Sequence, residues 1–283
     1  MVTTGTFDYD NMFQALEFNI LLEQKKNNLL KHMPGEIQKI CEDYNLVLAG
    51  GALTSLFSKT KVVDYDFFIP SFNKESKKEI IIMFCKYCHI TNISNNAHSF
   101  VHNQTGLKFQ LISPELNSGS AKEIISNFDF FVCMAAFDFK SKKFTFHPQF
   151  FLDLAAKTLN YNTGYKFPYT VFTRVTKYLN KGYTINHFNI LKINLTIANL
   201  KIENTDDLLK QLGGFYLGDV AAELNDIIED SEINQLLEHK VDLSGLKETI
   251  LKLKKQNEEL DTEFKELQKE TSKKQNLLSD IEF

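Results

Sequence analysis

Apolar residues recur at helical spacing across residues 9–30, where Phe13, Leu16, Ile20 and Leu21 predict an amphipathic helix. Pro34 interrupts that pattern, and "GEIQKICEDYN" predicts a second helix. The rhythm then changes. "LVLAGG" is short, apolar and closed by two glycines, as a buried strand running into a turn would be. "ALTSLFSK" fits a helix leaving that turn, and "VVDYDFFIP" a second strand stopped by Pro70. "SKKEIIIMFCKYC" predicts a helix covering the sheet, while "AHSFVHN" and "LKFQLIS", joined by "NQTG", predict two further strands. Ser120 with Glu123 has the form of a capping box opening a short helix through Asn127. "DFFVCMAAFDF" and "KFTFHP" read as a hairpin, and from residue 150 to about 229 the pattern is helical. Within that stretch, Pro168 and Gly182 mark the start and end of one helix.

The C-terminal part has a different period. Leu246, Ile250, Leu253, Asn257, Leu260, Phe264, Leu267, Thr271, Lys274, Leu278 and Ile281 alternate by four and three. This is a heptad seam of about five heptads, or about 54 Å of helix. A helix with one apolar stripe needs a partner, which is a second copy, another protein or its own domain. Asn257 at a core position favours a two-stranded pairing. The flanking Lys254, Gln256, Asp261 and Glu263 show no strong complementary scheme, so a partner of another kind stays open.

Composition narrows the class. A chain of 283 residues with 43% hydrophobic content can bury a sizeable core. Its net charge of −4 argues against a protein that coats nucleic acid through a general basic field, although a local basic surface stays possible. No apolar run reaches the roughly 20 residues of a spanning helix, and "MVTTGTFDYDNMF" lacks a signal-peptide pattern. The expected location is the compartment of synthesis, the host cytoplasm for a viral protein, with release only inside an assembly such as a virion. Four cysteines do not suggest a disulfide scaffold. "CKYCH" matches a haem-attachment pattern, but Ile81, Cys85 and Cys88 fall at helical spacing and read as buried thiols. His98 and His102 could share a strand face, a weak metal signal. Arg174 is the only arginine among 32 basic residues, a usage that AT-rich codons would produce in a phage, a virus or an AT-rich bacterium.

The chemistry concentrates in residues 47–70. On a strand, Asp64 and Asp66 point to one face and Tyr65 to the other. Two carboxylates side by side repel unless cations lie between them, and a pair of divalent metals about 3.5–4 Å apart would suit them. Gly50-Gly51, between strand and helix, lets backbone N–H groups approach an oxyanion at a positive helix end. A solvated surface turn and edge strand is the plain alternative; the apolar "FFIP" after the pair speaks against it.

Strand, Gly-Gly, helix, strand and Asp-x-Asp together resemble the nucleotidyltransferase superfamily of DNA polymerase β, poly(A) polymerases and CCA-adding enzymes. The resemblance spans roughly residues 45–190 and is closest in look to uncharacterised proteins of phages and large DNA viruses. It implies an α+β fold with a nucleotidyltransferase-like mixed sheet flanked by helices, then a helical domain, to which the heptads add a C-terminal coiled-coil helix. The expected divisions are N-terminal helices at 1–45, a core at 46–150, a helical domain at 151–235 and a coiled coil at 243–283. It also implies Mg²⁺ or Mn²⁺ on Asp64 and Asp66, and a nucleotide on Gly50, Gly51, Ser55, Arg174 and Lys177. Members usually carry a third carboxylate on a later strand; here the matching strand is "LKFQLIS", with Gln110 at its centre, and Asp129 is a substitute only if the fold brings it close. "ALTSLF" lacks the Arg-Asp that CCA-adding enzymes place after their glycines.

Arg174, Lys177 and Lys181 share a helix face that would meet a triphosphate or a nucleic-acid backbone, and Lys157 is a weaker candidate of that type. A solvated face is the plain reading for the lysines; Arg174 offers a bidentate contact that lysine cannot make. The implied activity is transfer of a nucleoside monophosphate from an NTP to a hydroxyl on RNA, a protein or a small molecule. The alternative is a degenerate member of the fold, used as a structural or assembly protein joined through its coiled coil.

Overall fold

The computed structural model describes residues 9–70, 74–94 and 96–202, and beyond them only the single positions 207, 211, 255, 258, 259, 262, 265, 266 and 269. The seam residues of the predicted coiled coil, and nearly all of 203–254, lie outside the described residues.

Helices α1 (Tyr9–His32) and α2 (Gly35–Asp43) flank Pro34, which stands at the N-cap of α2. The Gln38 side-chain amide donates to the Leu30 and Met33 carbonyls, both at 2.7 Å, and so fastens the end of α1 to α2. The buried face of α1 differs from the predicted one. Leu29, Met33 and the stem of Lys25 are buried, while Leu16 is 55% and Ile20 50% exposed. Among its described side chains, Lys25 donates to the Leu56 carbonyl at 2.7 Å and the Phe18 ring meets Phe151 at 5.5 Å, so α1 is held by α3 and Phe151 as well as by α2.

The sheet follows. Strand β1 (Val47–Ala49) runs through Gly50 into α3 (Gly51–Ser58), and β2 (Tyr65–Phe68) returns antiparallel beside it. Next come α4 (Lys74–Cys85), β3 (Cys88–Ile93), β4 (Ala97–His102), β5 (Lys108–Ile112) and α5 (Ala121–Ser126). The hairpin β6 (Ala135–Asp138) and β7 (Lys143–Phe146) completes a seven-stranded sheet of order β3-β4-β5-β2-β1-β6-β7. The β2–β5 pair is parallel and the others antiparallel, so the sheet is mixed. Helices α6 (Phe150–Ala156), α7 (Val171–Leu179) and α8 (His187–Ala198) follow. The chain is therefore α+β, with the mixed sheet and flanking helices that the sequence led one to expect.

Two local expectations fail for identifiable reasons. Cys88 was placed on the helix with Ile81 and Cys85, but it opens β3, where its main chain pairs with β4 opposite His102. All four cysteines are nonetheless buried free thiols. The run "DFFVC" was read as strand, yet residues Phe131–Cys133 form a 3-10 turn. Its Val132 carbonyl accepts from the Thr54 hydroxyl at 2.8 Å, a tie to α3 that a ladder would exclude.

Strand alternation sorts the core. Leu48, Phe67, Phe109, Leu111, Phe100 and Phe137 fill one face of the sheet with α2 and α4. Val47, Ala49, Phe68 and Ala136 meet Ile124 and Ile125 of α5 on the other. A third cluster, around Phe130, Tyr161, Val171, Val175, Tyr178 and Ile193, belongs to the helical part. Phe67 is fully buried, with the rings of Phe84, Phe109 and Phe139 centred at 5.9, 5.8 and 6.0 Å. Phe67→Ala is expected to lower stability by about 3–5 kcal/mol in urea unfolding, through lost burial and a cavity.

Candidate functional site

Sheet register builds the site. Asp66 on β2 lies opposite Ala49 on β1 and beside Gln110 on β5; Ser99 of β4 flanks Gln110, and Ala136 of β6 flanks Ala49. Residues in register share a face, so one row across the sheet reads Ser99, Gln110, Asp66, Ala49, Ala136. The two alanines leave the side of Asp66 toward β1 uncrowded. Tyr65 turns the opposite way and packs against Phe109, with centroids 5.7 Å apart. Asp64 was expected within the strand; it stands one residue before β2, half-exposed, because pairing with β1 and β5 begins only at Tyr65.

The two glycines are not equivalent. Gly50 has φ 84°, a left-handed conformation that favours glycine, and its N–H donates to the Ala135 carbonyl at 3.1 Å. A side chain there would begin 3.5 Å from the Phe128 ring and 3.9 Å from Asp66 Oδ2. The turn and the aspartate thus meet in space. Gly51, the first residue of α3, faces open space on its Cβ side. Ser55, one turn along α3, is buried, and its carbonyl accepts from the Thr60 N–H at 2.9 Å.

Asp66 Oδ1 is buried with no hydrogen-bond partner among the described residues. Burial, and then the Asp64 charge, push its pKa up to about 7, while Arg174 and Lys177 pull the other way. An acid so placed resists losing its proton, and a cation would reverse that. The donor set of Asp64 and Asp66 suits one Mg²⁺ that keeps waters and takes its remaining oxygens from substrate phosphates. A third carboxylate ligand is missing from the row, because Gln110 occupies the place beside Asp66. Among the described residues no cluster of three or more His, Cys, Asp or Glu side chains could hold a metal.

Asp129 does not stand in for Gln110. It is 1% exposed; its Oδ1 accepts from the Phe130 N–H at 2.9 Å, and its Oδ2 accepts from Arg174 Nε. The Arg174 Nη2 group also reaches Cys133 Sγ at 3.8 Å, and Cys133 Sγ lies 2.8 Å from the Tyr178 hydroxyl. Arg174 is thus a joint between the turn at 128–133 and α7, with its charge still felt at Asp66. Lys177, one helical step on, is exposed beside it.

Two residues that sequence reasoning missed complete the arrangement. Phe128 packs on Gly50 and on Phe68, with ring centroids 5.8 Å apart. Asn162 holds the turn that carries it: its amide donates to the Ser126 and Phe128 carbonyls at 2.9 and 2.8 Å, and its N–H to Asp129 at 2.7 Å. Neither carries a motif, since both act through contacts between remote segments. His98 and His102 do share a face of β4, buried on the side away from Ser99 and Gln110. His102 Nε2 lies 2.9 Å from Glu36 Oε1, and the burial of His98 pushes its pKa down to about 4.

A carboxyl raised above its unfolded pKa favours folding most at low pH, and that contribution is lost as pH rises toward about 7. Asp66→Asn is therefore expected to raise the melting temperature by a few degrees near pH 8 and to leave it almost unchanged near pH 4, read by scanning calorimetry. Equal shifts at both values would show that charge at Asp66 is not the cause. Asp129→Asn leaves a half-buried guanidinium without its carboxylate, and is expected to cost about 3 kcal/mol in chemical denaturation.

Among solved structures, the chain is similar to a CCA-adding enzyme in complex with CTP at 12% identity and a TM-score of 0.46, covering 78% of this chain and 54% of that one. A Thermotoga maritima CCA-adding enzyme complexed with tRNA gives 11% identity and a TM-score of 0.45, covering 75% of this chain and 52% of that one. Among curated proteins, "Gabija anti-defense 2" of Bacillus phage SPbetaL7 is 33% identical over 197 residues, which are 68% of this chain and 47% of the relative. The chain thus spans about half the length of the curated relative it matches. Residues 18–157, which carry the sheet and the aspartate–glycine site, match the model of the Gabija anti-defense 2 family.

Proposed function

We infer that this chain is a phage-type nucleotidyltransferase-like protein of the Gabija anti-defense 2 family, acting in the host cytoplasm against the Gabija defence. The observation that carries the chemistry is the buried Oδ1 of Asp66, without a hydrogen-bond partner among the described residues and next to the Gly50 turn at the start of α3, with Asp64 beside it and the charges of Arg174 and Lys177 acting on it. A buried carboxylate oxygen with no partner is costly unless a ligand completes it. In this reading Gly51 and the first N–H groups of α3 seat the phosphates of an NTP, with Ser55 and Lys177 in support, and Arg174 contributes charge from its anchored position. Asp64 and Asp66 would hold Mg²⁺ or Mn²⁺, whose role is to neutralise charge on the phosphates. An acceptor oxygen attacks the α-phosphorus, the bond from that phosphorus to the β-bridging oxygen breaks, pyrophosphate leaves, and the hydroxyl proton passes to solvent. The acceptor belongs to RNA, a protein or a small molecule.

Gln110 favours a second reading. An amide cannot deprotonate the acceptor, and it is a poorer Mg²⁺ ligand than a carboxylate, so the site would bind nucleotide without turnover. The chain would then work as an assembly protein, in a phage particle for example, paired through the heptads of its C-terminal segment with a copy of itself or another protein.

Transfer of label from each α-³²P-NTP, with Mg²⁺ and with Mn²⁺, to total RNA, host lysate and the protein itself separates these readings. Label with the parent that vanishes in Asp64→Asn/Asp66→Asn is expected, and the labelled species names the acceptor. NTP binding without transfer supports the second reading. Loss of both removes the nucleotide site altogether.

A further inference from the structure

Helices α6 and α7 end side by side. The Thr184 N–H donates to the Lys157 carbonyl at 2.8 Å, and the Leu159 N–H donates to the Thr184 carbonyl at 2.8 Å. Lys157 Nζ stands 3.8 Å from the point where a side chain on Gly182 would begin. Both backbones are left-handed there, with φ 49° at Lys157 and 80° at Gly182. Lys181, next to Gly182, lays its ammonium 5.5 Å from the centroid of the Tyr178 ring. Arg174, Lys177 and Lys181 follow at steps of three and four residues, along one flank of the buried stripe of Val171, Val175 and Tyr178.

The charges near this junction do not balance among themselves. Asp129 neutralises Arg174, whereas Lys157, Lys177 and Lys181 are exposed and make no ion pair among the described residues. Lys177 acts on Asp66 and Asp64 acts on Lys181, so the cations run from the aspartate pair outward past it. Burial, and next the Lys177 charge, hold the Lys181 ammonium below the usual lysine range, as expected for like charges crowded together. The helix dipole attracts a lysine to each helix end. It gives no reason for Lys157 at the end of α6 to meet Gly182 and Lys181 just past the end of α7. In a chain of net charge −4, a local row of exposed cations calls for an extended anion. The row continues past Lys177, which acts on Asp66, to Lys181 and to Lys157 beside Gly182.

We propose that Lys157, Lys177 and Lys181 form a track for the phosphodiester backbone of a nucleic-acid strand, so that the acceptor hydroxyl brought to Asp64 and Asp66 belongs to RNA or DNA and not to a protein. This rests on the nucleotide reading of that same site and specifies its acceptor. Repeated phosphates at regular spacing match a row of lysines, and their affinity falls with salt in proportion to the number of contacts.

The test is fluorescence anisotropy of the full chain with a labelled single-stranded RNA of about 20 nucleotides across a salt series, beside filter binding of labelled ATP and a thermal melt. For Lys157→Gln/Lys181→Gln, the slope of log affinity against log salt is expected to fall by about 1.4, roughly 0.7 for each lysine. ATP binding and melting temperature are expected to match the parent, and Lys157→Arg/Lys181→Arg to keep the parental slope. An unchanged slope in the Gln variant overturns the track, as does a parent that binds ATP but no RNA. Displacement of the RNA by poly-glutamate as readily as by unlabelled RNA also overturns it, in favour of an acidic protein. A parent that binds no ATP removes the nucleotide reading, and the track with it.

Discussion

A carboxylate oxygen without a hydrogen-bond partner, the buried Oδ1 of Asp66 where a left-handed glycine turn enters a helix, sets the terms for much of this molecule. Leaving a buried polar group unsatisfied costs on the order of 1–3 kcal/mol, and more when it is charged. The neighbours of Asp66 are arranged so that this cost is tolerated and left in place. Ala49 beside it is too small to cover it, and Gly50 brings the main chain close without a side chain between. Phe128 closes the apolar side, and the cations of α7 act from across the site. A core residue at position 66 would pack better. The fold holds an acid there instead, and that acid is the physical basis for reading the place as a binding site.

The second constraint is the pairing of Asp129 with Arg174. It joins a turn that follows α5 to the helix α7, and so couples the sheet to the helical cluster. Phe128, immediately before Asp129, packs against both the α5 face of the sheet and the helical cluster. Asn162 fixes the turn that carries both residues through three hydrogen bonds. A single short segment therefore places an aromatic ring against the glycine turn and a guanidinium near the aspartates. Because Arg174 Nε is already engaged by Asp129, its contribution at Asp66 is a fixed charge held at a fixed place. The rarity of this arginine suggested a bidentate contact; in the fold its Nε is taken by Asp129.

Much of the fold was legible in the chain because local rules sufficed. Period-two and period-3.6 patterns located β1, β2, β4, β5 and most helices, and the capping box at Ser120 and Glu123 is formed as read. The glycine pair and Asp-x-Asp were visible as a motif, and the strand bearing Gln110, read as a later strand of the same sheet, lies beside β2. Local rules failed where a distant partner decided the outcome. Cys88 continues an apolar helical pattern, yet strand pairing with β4 claims it. The stripe of Leu16 and Ile20 on α1 has helical spacing, yet among the described side chains of that helix it is Lys25 and Leu29 that remote segments bury. Asp129 was the candidate for the third carboxylate, and a partner from α7 claims it instead.

What the sequence determined by itself was the order of most elements, though not β3, the alternation that puts Asp66 on one sheet face and Tyr65 on the other, and the glycine turn before α3. Each follows from backbone periodicity and from the conformational freedom of glycine, which act over a few residues. The tertiary structure alone decided that Asp66 has a buried oxygen without a partner, that Asp129 belongs to Arg174, and that Lys157 joins Lys181 beside Gly182. Burial, charge pairing and the meeting of two helix ends depend on distances between segments far apart in the chain. No local pattern of residues carries those distances.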